Sequence, residues 1–181
     1  MIILPIVIGI QGILIVALLV FLYITALYAL PRKRAIPYVP TSSRAVETMI
    51  ELAGNVSGKR ICDLGCGDGR ICIAFAKRGA EAHGFEFNPL LTLVARARAR
   101  RARLQRRVFV YRKNFWQEDL SPYDVITIFG MPSLMNNVGR LLQKNAKPGT
   151  LVLAHKFPIP GWQPIQEKNR VFLYRISIDI Q

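Results

Sequence analysis

Histidine and cysteine are scarce in this chain, with two of the former and three of the latter in 181 residues. Cys62, Cys66 and Cys72 are spaced 4 and 6 residues apart with no histidine near them, which matches no zinc-ligand pattern, so no metal site is expected. His83 and His155 belong to no recognisable Ser/His/Asp set and are expected to be structural, with contact to a site the lesser reading for His155. Acidic residues are also few, 11 against 25 Lys and Arg, for a formal net charge of +14. The most consequential absence is local: residues 1–30 contain no charged side chain, so every charge lies in residues 31–181. A chain that is 51% hydrophobic on average is thus two different objects joined end to end.

The uncharged segment predicts a helix from about Pro5 to Leu30, with Gln11 and Thr25 as its only clearly polar side chains. At ~1.5 Å per residue it exceeds the roughly 30 Å hydrocarbon core of a bilayer. A cleaved signal peptide is the competing reading. It requires a basic start, a shorter apolar run and a small-residue cleavage site, none of which stands here. Residues 1–30 are therefore expected to form one uncleaved transmembrane anchor. Pro31-Arg32-Lys33-Arg34 follows, and basic residues flanking a span stay on the cytoplasmic side, or on the matrix side in a mitochondrion. This predicts a single-pass protein of the inner (cytoplasmic) membrane. Residues 31–43 form a basic, proline-rich linker and residues 44–181 a domain in the cytoplasm. In that reducing compartment the cysteines are small packing residues rather than disulfide partners.

In the charged part, Ser42 or Ser43 can cap a helix over about Arg44–Leu52. The apolar period then alternates between strand-like and helical. Strands are expected at Arg60–Leu64, Glu81–Glu86, Val108–Tyr111, Asp124–Phe129 and Leu151–His155. Helices are expected at Gly69–Lys77, Pro89 to about Gln105 and Ser133–Gln143. A last strand over Val171–Ile180 pairs with a short one at Pro164–Glu167 across Lys168-Asn169. The alternation predicts a doubly wound, Rossmann-like α/β sheet with right-handed crossovers, closed by an antiparallel C-terminal hairpin.

The first of these strands runs into Gly65-Cys66-Gly67-Asp68-Gly69 and then a helix, where an open α/β sheet binds its ligand. Glycines there allow a sharp turn and a close approach by the ligand. The second strand ends at Glu86, 21 residues after Gly65, where an acid can accept hydrogen bonds from ribose hydroxyls. A dinucleotide fingerprint would place its last glycine at position 70, which is Arg70. Instead Asp63 precedes the first glycine by two residues, and an acid there suits the ammonium and sulfonium of S-adenosylmethionine (SAM) better than a pyrophosphate. Phe87 can pack on the adenine or in the core, and Asn88 caps the helix starting at Pro89. Asn114 with Phe115, after the third strand, can hold the adenine or form an ordinary turn.

With these landmarks the sequence resembles class I SAM-dependent methyltransferases. More narrowly, it is similar to the membrane-anchored protein-lysine methyltransferases of the ATP synthase c-subunit and adenine nucleotide translocase type, and to their prokaryotic relatives. The segments that carry the likeness begin with Tyr38-Val39-Pro40-Thr41, Asp63 to Arg70 and Gly84-Phe85-Glu86-Phe87-Asn88-Pro89. Met131-Pro132-Ser133 and Phe157 to Pro164 complete them. Asn114 departs from the pattern, since relatives often carry an acid there. The resemblance implies SAM contacts at Asp63, Gly65, Gly67, Glu86 and Asn114, with Gly69 completing the turn. It also implies a role for Tyr38 and Thr41 near the methionine end, and methyl transfer to lysine in a membrane-associated protein. A small-molecule or lipid methyltransferase, or a non-catalytic SAM-binding or nucleotide-binding membrane module, would use the same residues.

Methyl transfer from a sulfonium needs alignment and a free lone pair rather than an acid, so no catalytic residue is singled out. Enzymes that methylate adenine N6 or glutamine amides carry an Asn- or Asp-led Pro-Pro motif after the fourth strand. Phe129-Gly130-Met131-Pro132 lacks the amide or acid, which argues against a base or amide acceptor. Seven arginines fall between Arg96 and Arg107, and Arg96, Arg100, Arg103 and Arg107 share one helical face. Leu90, Leu93, Val94 and Ala97 are expected to supply that helix's apolar contacts. An ordinary solvated helix face is the competing reading; because a tethered domain meets anionic lipid first, docking on a lipid surface is expected ahead of nucleic-acid binding.

Overall fold

The computed structural model describes residues 3–29 and 38–177. The chain divides into two compact units, residues 1–35 and 36–181. In the first, helix α1 (Ile3–Ala29) has 27 residues, a length of about 40 Å, and its stretch Val7–Thr25 is long and apolar enough to cross a membrane. The Thr25 hydroxyl donates to the Leu22 carbonyl at 2.9 Å, so the helix satisfies this polar group internally. Leu30, the basic collar Pro31–Arg34 and Pro37 of the linker lie outside the described residues, as does the end of the expected last strand, residues 178–181.

The second unit opens with α2 (Ser43–Ala53), and of the two candidate caps Ser42 is the one used, its hydroxyl accepting from the Ala45 N–H. There follow β1 (Arg60–Leu64), α3 (Arg70–Ala76), β2 (Glu81–Glu86), α4 (Pro89–Arg101) and β3 (Val108–Arg112). A one-turn 3-10 helix (Phe115–Gln117), β4 (Val125–Ile128), α5 (Pro132–Asn145), β5 (Leu151–His155), β6 (Gln166–Lys168) and β7 (Val171–Arg175) complete the domain. The sheet order is β3-β2-β1-β4-β5-β7-β6, so the chain winds one way from β1 and the other way from β4. The switch point between β1 and β4 is where this topology binds ligands. Strands β1 to β5 are parallel, whereas β7 runs antiparallel to both β5 and β6. The hairpin turn uses Asn169 and Arg170, both at positive φ, one residue later than Lys168-Asn169.

Alternation along the strands builds two cores. On one face Ile61, Val125 and Leu153 meet Met49 and Phe75 of α2 and α3, and on the other Leu64, Ile128 and Val152 meet Met135 and Leu142 of α5. The first core also explains Cys66 and Cys72. A Cβ on Gly84 would lie 2.5 Å from the Cys66 sulfur and 3.1 Å from the Cys72 sulfur, so the glycine-rich turn and α3 pack directly on β2 through these two side chains. Gly84→Ala is expected to cost about 1–3 kcal/mol, the usual penalty of overfilling a core. It should appear as a lower denaturant midpoint at unchanged slope.

Helix α4 departs from the sequence reading in two respects. It stops at Arg101 rather than near Gln105, and Arg103 takes φ 57. The Leu104 N–H bonds to the Ala99 carbonyl and the Arg103 N–H to the Arg100 carbonyl, a Schellman end that turns Leu104 into the core. Arg103 and Arg107 therefore leave the helix, and the four-arginine stripe is not built. Nor do Leu90, Leu93, Val94 and Ala97 supply core contacts. All four are exposed, and Thr92, Ala95 and Ala99 face inward. The reason is close approach: a Cβ on Gly69 would lie 3.0 Å from the Ala95 Cβ, a gap that admits only small side chains.

Candidate functional site

Beyond Leu64 the chain turns through Gly65 (φ 81), Gly67 (φ 54) and Gly69 (φ 75), a left-handed conformation that costs other residues about 1–2 kcal/mol each. The Gly65 and Cys66 N–H groups both donate to the Phe85 carbonyl, at 2.9 and 3.0 Å. The Gly67 N–H donates to Glu86 Oε2 at 2.9 Å, while Glu86 Oε1 accepts the Asn88 N–H at 2.7 Å. One carboxylate thus ties the turn after β1 to the start of α4. It has about four lone-pair positions, so capacity remains for two ligand hydroxyls. Asn88 caps α4 by accepting from the Leu90 and Leu91 N–H groups.

Asp63 lies one pleat below the turn and is buried, with the Thr127 hydroxyl of β4 donating to its Oδ1 at 2.7 Å. Burial pushes its carboxyl up to about 7; the Thr127 bond opposes the shift and the Glu86 charge adds to it. Among the described residues no Lys, Arg or His pairs with it. A buried acid left without a cation, beneath an open glycine turn, suits a ligand that brings an ammonium group.

The segment before α2 folds over this turn. A Cβ on Gly67 would lie 2.6 Å from the Tyr38 ring, and buried Thr41 offers its carbonyl to Arg70 Nη1 at 2.8 Å. Arg70 also grips buried Asp68, with Nη2 on Oδ2 at 2.8 Å, and Arg98 of α4 pairs with the same carboxylate. This Asp68–Arg70–Arg98 clamp has no counterpart in the sequence reading. Its signal was an acid inside the glycine turn followed two residues later by an arginine. Thr127 was also missed, although it is the one polar residue in the strand Val-Ile-Thr-Ile.

The structure thus brings Tyr38, Thr41, Asp63, Gly65, Gly67, Gly69 and Glu86 together at the carboxyl edge of the sheet. Phe87 projects into solvent, 59% exposed, so the core alternative for it does not hold. The end of β3 approaches through the Lys113 N–H, which donates to the Glu86 carbonyl at 3.2 Å. There the Asn114 side chain accepts from the Trp116 N–H and caps the 3-10 turn. Phe115 is buried in the α5-side core against Trp116. Neither Asn114 nor Phe115 bonds to the glycine turn among the described contacts. At the same edge His155, the last residue of β5, meets Phe129 edge-on with ring centroids 4.6 Å apart, and its buried Nδ1 has no partner among the described residues. Burial, with Lys156 and Arg170 nearby, holds its imidazole below the usual range and favours the neutral form.

A sequence profile of the family described as ANTKMT methyltransferase domain matches residues 63–166, which run from Asp63 to the first residue of β6. The chain belongs to this methyltransferase family. Within it, the chain is 37% identical over 152 residues to a protein-lysine N-methyltransferase of Saccharolobus islandicus, covering 78% of this chain and 94% of that one. It is also 37% identical over 133 residues to the mouse lysine N-methyltransferase of the ATP synthase c-subunit. That match covers 74% of this chain and 53% of the mouse protein, so the chain spans about half the length of this relative. Among solved structures, an RNA methyltransferase from Salinibacter ruber, crystallised with S-adenosyl-L-homocysteine, superposes with a TM-score of 0.75 at 32% identity. The superposition covers 79% of this chain and 97% of the Salinibacter chain.

Proposed function

We propose that the protein is a SAM-dependent protein-lysine N-methyltransferase, anchored in a membrane by α1, that methylates a lysine of a membrane-associated protein. The carrying observation is the trio of buried Asp63, the left-handed glycine turn and Glu86. It offers an acid for an amino group, an open backbone and a second acid for a ribose diol. In this reading Asp63 holds the methionine ammonium of SAM, Glu86 its ribose hydroxyls, and Gly65, Gly67 and Gly69 leave room for it. Tyr38 and Thr41 close the methionine end, and Phe87, Asn114 and Phe115 serve the adenine. SAM when bound supplies an electrophilic methyl group with a neutral sulfur leaving group.

What remains for the chain is to align a lysine and free its lone pair. Apolar and neutral surroundings lower the pKa of an ammonium, and neutral His155 beside Phe129 adds no competing charge at that edge. Lysine as acceptor is supported by the archaeal relative, which matches over nearly its whole length. The uncharged helix and the basic residues after it support a single-pass protein of the inner membrane facing the cytoplasm, or the matrix in a mitochondrion. The exposed arginines in the last turn of α4 support contact with anionic lipid.

The test is incubation of the full chain with labelled SAM and host membranes, followed by separation of protein, lipid and RNA. Label in lysine of a membrane protein is the expected result. Label confined to the lipid extract would move the acceptor to a lipid. Label in RNA, the acceptor class of the Salinibacter protein, would overturn the lysine assignment.

A further inference from the structure

The outward face of α4 is apolar where a soluble domain would be charged. Leu90 (55% exposed), Leu93 (61%) and Val94 (45%) continue from Phe87 (59%), and the exposed Ala97 extends the same face. Residues 90, 93, 94 and 97 follow the i, i+3, i+4, i+7 rule, so they form one stripe, opposite the buried Thr92, Ala95 and Ala99. One turn further along the stripe the side chains become basic: Arg101 continues it and Arg98 and Arg100 flank it, all three exposed. A row of large apolar side chains leading into a basic cluster is the composition of a helix that lies in a lipid interface.

We propose that α4 docks on an anionic bilayer surface, with Phe87, Leu90, Leu93 and Val94 entering the boundary between headgroups and acyl chains while Arg100 and Arg101 meet lipid phosphates. The proposal rests on the reading of α1 as a membrane anchor. Three observations select lipid as the occupant. Helix α4 carries three arginines in its last turn and no acidic residue along its length, which complements an anionic leaflet. Eight residues, 30–37, separate the last residue of α1 from Tyr38 in sequence, a reach of at most about 30 Å in any conformation. Tyr38 in turn lies against Gly67, in the clamp that Arg98 closes from α4. Because α4 starts three residues after Glu86, docking would set the mouth of the cofactor site at headgroup level.

The native cysteines are at most 5% exposed, so a fluorophore can be placed on Leu93→Cys in the full chain without labelling Cys62, Cys66 or Cys72. The labelled protein is reconstituted in phosphatidylcholine vesicles with or without phosphatidylglycerol, each containing nitroxide-labelled lipid as quencher. The expected result is strong quenching in the anionic vesicles. Reversing both Arg100 and Arg101 to glutamate should shift the docked equilibrium about tenfold or more toward the undocked state. A label on Lys144→Cys, exposed on α5, should stay unquenched. No quenching at position 93 in a chain that still floats with vesicles at alkaline pH overturns the docking and leaves the anchor standing. Failure to float removes the anchor and with it this proposal. A blue shift at position 93 without lipid quenching, lost on diluting the protein in lipid, would assign the stripe to a second copy instead.

Discussion

Cofactor affinity should fall about tenfold for each pH unit below about 7 and level off above it, because the ammonium of SAM needs Asp63 ionised. In the free protein burial holds the Asp63 carboxyl at about 7 against an ordinary 3.8, so near neutrality much of it is protonated. A cation placed beside it lowers that value, and binding must then release a proton. Calorimetry in two buffers of different ionisation enthalpy measures this release directly. Asp63→Asn should abolish the pH dependence and weaken binding at pH ~8 by one to two orders of magnitude, the effect of losing a buried charged hydrogen bond. The sign for the unliganded fold is opposite. A group whose folded pKa is raised contributes stability that is fully present below its unfolded value and lost as pH rises through the folded one. Wild type should therefore lose stability relative to Asp63→Asn between about pH 4 and 7. A wild-type affinity that stays flat across that range would remove Asp63 from the ammonium site.

The parallel strands β1, β2 and β5 were legible to the residue because each is buried through its middle and bounded by turn signals. Helix α4 was legible as a helix but not in its orientation. Counting apolar residues assigns leucines to the inside, yet the distance between Gly69 and Ala95 is a property of two backbones far apart in sequence, and it reserves the inner face for alanine and threonine. The end of α4 escaped for a related reason. Its left-handed position is held by Arg103 and not by the glycine that would have announced it, and the compensation is the burial of Leu104.

The candidate site divides along the same line. The glycine turn, Asp63 and Glu86 are tied by fixed spacings within one βαβ unit, so sequence alone places them together. Thr127 reaches Asp63 from 64 residues away, and Arg98 reaches Asp68 from 30. No local pattern encodes such pairings. The clamp that seats Tyr38 and Thr41 on the turn therefore became visible only in three dimensions.

Glu86 offers the sharpest separation of roles within the site. Its two oxygens hold the Gly67 and Asn88 N–H groups at 2.9 and 2.7 Å, and the same oxygens are assigned to the ribose diol. Glu86→Ala removes a charged acceptor from two backbone donors and from the ligand, at about 1.5–3 kcal/mol for each charged bond lost. SAM affinity should fall about 100-fold or more. Glu86→Gln keeps one acceptor oxygen but turns an amide donor toward one of the N–H groups, so it should also lose affinity, by less. Both variants could act by loosening the turn, and a fragment of the cofactor distinguishes the causes. Methylthioadenosine keeps the ribose and adenine but lacks the amino acid. Its affinity should drop with either Glu86 variant and be nearly indifferent to Asp63→Asn, whereas S-adenosylhomocysteine should respond to both positions. If Asp63→Asn weakened both ligands alike, the two acids would be holding the loop as one structural unit, and the division of the cofactor between them would have to be given up.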